Sequence, residues 1–120
     1  MRRTAHNGVL LMIVGESVIG IDLVFIPEFE RQRELGGESF LRRVFTSAEL
    51  RNLESVHLAG LWAVKEAVIK ACPEVRESLT EIVVRHDETG RPSATCGTRV
   101  FEVSIAHHGD YAVAIALLVD

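Results

Sequence analysis

The apolar segment from residue 54 to residue 72 constrains the fold more than any other part of the chain. Its bulky side chains recur at helical spacing, and its alanines leave small surfaces on the remaining side. Such a helix needs cover around much of its circumference, so we expect a central element that ends before Pro73. Glu66 and Lys70 fall on the small-residue side. The bulky positions are Leu58, Leu61, Trp62, Val64, Val68 and Ile69.

Shorter elements are expected around this helix. A run rich in β-branched residues at 18–26 predicts a buried strand, and Pro27 suits the first turn of a helix that stops at the glycine pair 36–37. Residues 38–45 predict a short helix. The stretch TSAEL, residues 46–50, has the capping-box spacing that begins another one.

The second half of the chain reads as two hairpins, over residues 80–96 and 99–119. Because strands and helices do not alternate regularly, the expected class is α+β, with a small antiparallel sheet packed on the long helix. The final segment, 111–119, is apolar at nearly every position. It predicts a strand buried on both faces, with a subunit contact as one way to cover it.

The amino end predicts an extension before the domain. We expect one domain over residues 12–120, with residues 1–11 as an extension or as the result of a different start residue, and dispensable in either case because they have nothing periodic to pack. Val9–Val14 is a short apolar run that suits a strand. That run is short for a signal peptide and lacks a clean cleavage site, and no run is long enough for a membrane span. A cytoplasmic protein is therefore predicted, with Cys72 and Cys96 as reduced thiols.

Composition narrows the classes of function. The chain has 120 residues, 48% of them hydrophobic and 25% charged, which is typical of one globular domain. The formal net charge is −4, and the charges form no basic stripe. A duplex-binding protein would need such a stripe, so nucleic acid is not an expected partner.

Two carboxylates and one ammonium lie where an apolar core is expected. Asp22 interrupts the buried strand, although Asp is disfavoured in strands and costly when buried without a partner. One interpretation is a strand-end cap or ion pair, with Glu66 and Lys70 forming an ordinary i,i+4 pair on a solvated flank. The other is a site in which two carboxylates share a hard cation and the ammonium meets phosphate oxygens.

Two stretches, GID at 20–22 and WAVKEAVIK at 62–70, together resemble the signature of the 4′-phosphopantetheinyl transferases. The small holo-acyl-carrier-protein synthase type is the most similar. Further stretches follow in the order of that family over most of the chain. They read RRVFTSAEL, HLAGLWAVKEA, DETGRP and VSIAHHGDYAVAIAL.

The resemblance implies transfer of the phosphopantetheine arm of coenzyme A to a serine of an acyl or peptidyl carrier protein. Asp22 and Glu66 would hold Mg²⁺ on the coenzyme A pyrophosphate. Glu66 or a metal-bound water would take the serine proton, and Lys70 would stabilise the departing 3′,5′-ADP phosphate. Lys65 would contact a coenzyme A phosphate; the alternative is a surface lysine whose stem packs on apolar neighbours. His107 would lie near the nucleotide, and the assembly would be a homotrimer with sites between subunits.

Four features depart from the family pattern. The sequence after Lys70 lacks the usual Gly-Thr-Gly loop. Leu61 replaces a basic residue. The 95–101 segment is too short for a helix that many members have. Glu28 replaces an arginine that meets the acidic helix of the carrier. The carrier contact is therefore assigned to Glu28 together with three nearby arginines, Arg31, Arg42 and Arg43.

These departures leave two hypotheses open. One is an active transferase dedicated to an unusual carrier protein. The other is a weak or inactive homologue that binds a carrier protein or serves as a structural module of a synthase. Modification of apo-carriers by coenzyme A and Mg²⁺ distinguishes them.

Overall fold

The fold is α+β, as the sequence predicts, in a computed structural model that describes residues 18–72 and 78–119. Five antiparallel strands form one sheet in the order β1-β5-β4-β3-β2. The strands are β1 Ile19–Phe25, β2 Ile82–His86, β3 Pro92–Cys96, β4 Arg99–His108 and β5 Tyr111–Val119. The helices are α1 Ile26–Val44 and α2 Ser55–Ala71, and short 3₁₀ turns cover Glu49–Arg51 and Leu79–Glu81.

Helix α2 occupies the centre of the fold, as its apolar composition predicts. One face of the sheet, mainly β1 and β5, packs on it, and α1 covers part of its other side. Most of its side chains are buried, and removal of their apolar surface from water stabilises the fold. No helix within the described ranges is long and apolar enough to cross a membrane.

Helix α1 joins the two helices that the sequence predicts. Gly37 adopts φ 59° and ψ −148° inside it, so the helix is kinked at the second glycine of the predicted stop. Thr46 and Glu49 then form the expected capping box, with Thr46 N donating to Glu49 Oε1 at 2.9 Å and Glu49 N to Thr46 Oγ1 at 3.2 Å. The element that it begins is a single 3₁₀ turn.

Both predicted hairpins are present. Gly90, with φ 88°, lies in the turn between β2 and β3, and Asp87 Oδ1 accepts bonds from Thr89 N and Arg91 N there. Gly109, with φ 59°, forms the turn between β4 and β5. The short Gly97-Thr98 turn joins β3 to β4, in line with a segment too short for a helix.

Strand β5 corrects one prediction. Its alanines Ala112, Ala114 and Ala116 are buried against α2, whereas Tyr111, Ile115 and Leu117 are exposed. The expectation that this strand is buried on both faces is wrong within one chain, because the single layer of helices covers only one face of the sheet. The Val9–Val14 strand and the 1–11 extension lie outside the described residues and stay predictions.

Candidate active site

Strand β1 and helix α2 meet at Gly20. A Cβ at this position would collide with Ala67 O and would lie 2.7 Å from Ala71 N, so only glycine permits the observed approach. The close packing brings the strand residues after Gly20 beside the second half of α2. The glycine of the GID stretch is thus explained by the packing of the helix.

Lys70 bridges the two elements. Its Nζ lies 3.0 Å from Asp22 Oδ1 and 3.1 Å from the carbonyl oxygen of Ile21. The side chain of Asp22 is 17% exposed and that of Lys70 is 55% exposed. The contact between Lys70 and Asp22 agrees with the interpretation of Asp22 as a member of an ion pair, and the predicted role of Lys70 toward a phosphate stays a prediction.

Asp22 and Glu66 line one cavity of about 230 Å³. Its polar lining is mostly anionic, since Glu28 also faces it, and its aromatic wall includes Trp62. The Nε1 atom of Trp62 is buried and has no hydrogen-bond acceptor among the described residues. The remaining lining residues are Leu23, Val24, Phe25, Phe29 and Gln32.

The donor set of this cavity suits a hard cation that keeps other ligands. Carboxylate oxygens are the donors that Mg²⁺ prefers, and Mg²⁺ commonly takes only one or two of them from the protein. Within the described ranges no three His, Cys, Asp or Glu side chains are grouped closely enough to hold a metal ion. Asp22 and Glu66 supply two carboxylates of the kind that Mg²⁺ takes from a protein, and water or phosphate would have to complete such a site.

The structure corrects both predictions made for Lys65. Its side chain is fully buried, and its Nζ donates to Val44 O at 2.7 Å, Glu49 Oε1 at 2.8 Å and Leu79 O at 2.9 Å. These bonds use all three ammonium protons. The surface alternative is wrong, and the same burial removes Lys65 from contact with a coenzyme A phosphate. Burial lowers the pKa of Lys65, and the hydrogen bond to Glu49 acts in the opposite direction.

His107 lies apart from this cavity. It is exposed near the end of β4, opposite Ala112 of β5, on the same side of the sheet as Asp22. Strand β5 lies between β4 and β1. One chain therefore does not bring His107 to the carboxylates, and its predicted place near the nucleotide remains a prediction.

The predicted carrier-contact residues are exposed along α1. Glu28 is in the first turn, where a carboxylate is favourable for the helix dipole, and Arg31 follows one turn later. Arg42 pairs with Glu38 at 3.4 Å, and Arg43 Nη1 donates to Ser39 Oγ at 2.8 Å. Both arginines belong to the last turn of the helix. The structure adds that Glu28 faces the carboxylate cavity, which the sequence does not reveal.

The structure also has a cavity of about 380 Å³ that the sequence did not predict. Its lining includes His57, His86, Arg51 and Arg85, and the two imidazole rings are 6.2 Å apart. Burial lowers the pKa of His57, the charge of His86 lowers it further, and Glu54 and Glu49 oppose the shift. These side chains come from a 3₁₀ turn, the first turn of α2 and the end of β2, so no local pattern could predict that they meet.

Comparison with known proteins finds a match over most of the chain. The model of the 4′-phosphopantetheinyl transferase superfamily matches residues 18–116. The holo-[acyl-carrier-protein] synthase of Verminephrobacter eiseniae is 34% identical over 119 residues, covering 83% of this chain and 91% of the relative.

Solved structures agree with this match. The Helicobacter pylori holo-[acyl-carrier-protein] synthase in complex with coenzyme A is similar with a TM-score of 0.77 and 25% identity, covering 84% of this chain and 99% of the other. The Bacillus anthracis holo-(acyl-carrier-protein) synthase in complex with CoA (3′,5′-ADP) has a TM-score of 0.71 and 31% identity, with 84% and 94% covered.

Proposed function

Because the chain belongs to the 4′-phosphopantetheinyl transferase superfamily, as a member of the holo-acyl-carrier-protein synthase type, we propose that it transfers 4′-phosphopantetheine. The donor is coenzyme A, the acceptor is a serine of an apo acyl or peptidyl carrier protein, and the second product is 3′,5′-ADP. One observation carries the proposal. Asp22 of β1 and Glu66 of α2, far apart in sequence, line the same cavity, and Lys70 is bonded to Asp22 beside it.

Asp22 and Glu66 are the residues that would hold Mg²⁺. When bound, the ion would neutralise charge on the pyrophosphate and make its phosphorus easier to attack. Two protein carboxylates leave room for the phosphate oxygens that complete such a site.

Two side chains of this protein would act on the reacting groups, one on the serine proton and one on the 3′,5′-ADP leaving group. The serine oxygen forms a bond to the phosphorus that carries the pantetheine arm, and the bond from that phosphorus to the oxygen of 3′,5′-ADP breaks. Glu66 lines the cavity and accepts the serine proton. Lys70 retains 55% exposure, so its ammonium can face the departing phosphate while it orients Asp22.

The carrier protein would approach over α1. Glu28 lies at the cavity and Arg31 just beyond it, so the surface that a carrier meets first is of mixed charge. Acidic recognition helices would be repelled locally by Glu28, which favours a carrier with a less acidic or more apolar helix. Arg42 and Arg43, in the last turn of α1, would serve as displaced cationic contacts.

The working assembly is proposed to be a homotrimer with its sites between subunits. Strands β1 and β5 expose a continuous apolar face that includes Ile21, Leu23 and Ile115, which is unusual for a free surface. A neighbouring subunit packed on this face would cover these side chains. The proposed location is the cytoplasm, in keeping with two buried thiols at Cys72 and Cys96.

Intact-mass measurement tests the proposed reaction. The protein is incubated with coenzyme A, Mg²⁺ and a panel of apo-carriers whose recognition helices differ in charge. The expected result is a carrier that gains one phosphopantetheinyl group only when Mg²⁺ and coenzyme A are both present. Binding of a carrier without any mass gain across the panel would favour the binding or structural module instead.

A further inference from the structure

The buried pair of Lys65 and Glu49 ties helix α2 to several other parts of the fold. Lys65 Nζ bonds to Val44 O, at the end of α1, and to Leu79 O, in the second 3₁₀ turn. Glu49 Oε1 accepts from Lys65 Nζ at 2.8 Å, and Glu49 Oε2 accepts from Val84 N of β2 at 2.9 Å. One lysine thus fixes the side of α2 that faces α1, the 3₁₀ turns and β2.

Stability alone is a poor explanation of this pair. The side chain of Lys65 is 0% exposed and that of Glu49 3%, so both charges lose their hydration. Desolvation of this kind offsets most of the attraction, and apolar or neutral replacements of buried pairs are often as stable as the original. In some proteins a buried polar or ionic group selects one arrangement of helices instead of adding free energy of folding.

The arrangement selected here is the rotation of α2 about its own axis. Lys65 immediately precedes Glu66, so the two side chains leave the helix about 100° apart. Trp62, Glu66 and Lys70 follow at spacings of four and share a face, which is the face that meets β1 and its Asp22. The contact at Gly20 and the Asp22–Lys70 pair hold the side of α2 that faces β1. The three directional bonds of Lys65 constrain the rotation of α2 from another side, where the packing is otherwise apolar and broad.

We infer that Lys65 and Glu49 are positioning residues: their buried pair fixes the rotation of α2 so that Glu66 faces Asp22 across the cavity. The inference rests on the proposed function, since it assigns Glu66 a place in the divalent-cation site. It predicts that loss of the pair weakens cation binding even when the domain stays folded.

The test uses the double variant Lys65→Met/Glu49→Gln. It removes both buried charges, while the amide oxygen still accepts from Val84 N and the amide NH₂ replaces one donor to the freed carbonyls. The matched control is Glu88→Gln/Arg91→Met, which likewise removes one carboxylate and one cationic side chain, but from two exposed residues of the β2–β3 turn. Circular dichroism and thermal unfolding check that all forms are folded.

Two measurements report on the site without catalysis. Electron paramagnetic resonance of Mn²⁺ gives the cation affinity, and fluorescence of Trp62, the single tryptophan of the chain, reports the environment of the cavity wall. We expect the double variant to bind Mn²⁺ at least tenfold more weakly and to shift the Trp62 emission. The control should match the wild type in both.

Each contrary outcome has a distinct meaning. A wild type that binds no Mn²⁺ overturns the cation site and the positioning role together. If the wild type binds and the folded double variant binds equally well, the positioning role alone is overturned. Should the double variant not fold, Glu49→Asp, which keeps the charge and shortens the tether, is measured instead; unchanged Mn²⁺ affinity in that variant contradicts the inference.

Discussion

Asp22 and Lys70 form an ion pair that joins strand β1 to helix α2, with 3.0 Å between Oδ1 and Nζ. The pair is partly exposed, so its contribution to the free energy of unfolding is below about 1 kcal/mol. Its consequence is geometric. Lys70 holds Asp22, and Glu66 lines the same cavity, so two carboxylates are presented together to one small volume.

The approach that creates this relationship depends on Gly20. We expect Gly20→Ala to destabilise the domain by about 1–3 kcal/mol, because the new methyl group collides with backbone atoms of Ala67 and Ala71. We expect the loss of Mn²⁺ affinity to be larger than the loss of stability, because α2 can relieve the collision only by moving away from Asp22. Thermal unfolding and Mn²⁺ affinity measure the two effects.

The matched control for this variant is Gly60→Ala, the same substitution at a glycine of helix α2 instead of strand β1. There the added Cβ would meet Ile105 Cγ2 at 3.1 Å, a methyl group that can rotate away. Mn²⁺ affinity should be retained in the control. If Gly20→Ala binds Mn²⁺ as well as Gly60→Ala does, close approach at Gly20 is not what assembles the site.

The cavity lined by His57 and His86 predicts a pH dependence of stability. The pKa of His57 in the folded state lies below its unfolded value near 6.5, first because of burial and then because of His86, with Glu54 and Glu49 opposing. The unfolded chain therefore binds this proton more tightly. Stability should be full above pH 6.5 and should fall as the pH drops through the lowered folded value.

Removal of the imidazole should flatten this profile. In His57→Gln the decrease in melting temperature from pH 7.5 to pH 5 should be smaller than in the wild type. His86→Gln should flatten the profile less, because it removes the second cause of the shift and leaves the first. Parallel profiles for His57→Gln and the wild type would show that His57 does not contribute.

Much of the fold could be predicted because its signals are local. Glycines at 90 and 109 sit in the turns of the two hairpins with positive φ, and the TSAE spacing gives the capping box at Thr46. The long apolar segment could only be a central helix. Asp22 drew attention because a carboxylate in an apolar strand needs a partner, which proved to be Lys70.

The failures involve partners that are distant in sequence. Lys65 looks like any helical lysine, and its burial depends on Glu49, Val44 and Leu79, none of which is within ten positions of it. The alanines of β5 and its larger residues alternate, but hydrophobicity alone does not distinguish their faces. Glu28 enters the cavity because α1 begins directly after β1, a geometric relationship that the sequence does not reveal.

The exposed face of the sheet predicts self-association. Ile115 lies on that face of β5 and is 38% exposed. Ile115→Glu would place a charge in the proposed subunit interface and should shift the protein from trimer to smaller species in sedimentation velocity. Leu35→Glu is the control, because Leu35 is 83% exposed on α1 and outside the sheet face. A wild type that stays monomeric at micromolar concentration would contradict the trimer.

The position of Glu28 leads us to expect discrimination against carrier proteins with an acidic recognition helix. Glu28→Arg should raise the association rate with a standard acidic carrier, most clearly at low salt, because it replaces local repulsion with attraction. Glu34→Arg makes the same change in net charge on an exposed part of α1 outside the cavity lining, and should accelerate association less. Stopped-flow binding at two ionic strengths gives the rates. Equal rates for both variants would leave Glu28 as a residue that favours the start of the helix.

The most direct measurement compares the wild type with Asp22→Ala and Glu66→Ala in the intact-mass assay, with Mg²⁺, coenzyme A and an apo-carrier that the wild type modifies. Both variants should stay folded, because each loses one carboxylate from an anionic cavity. We predict that the wild-type reaction transfers one phosphopantetheinyl group and that both variants transfer none over the same time. Near-full modification by either variant would contradict the claim that Asp22 and Glu66 form the catalytic cation site.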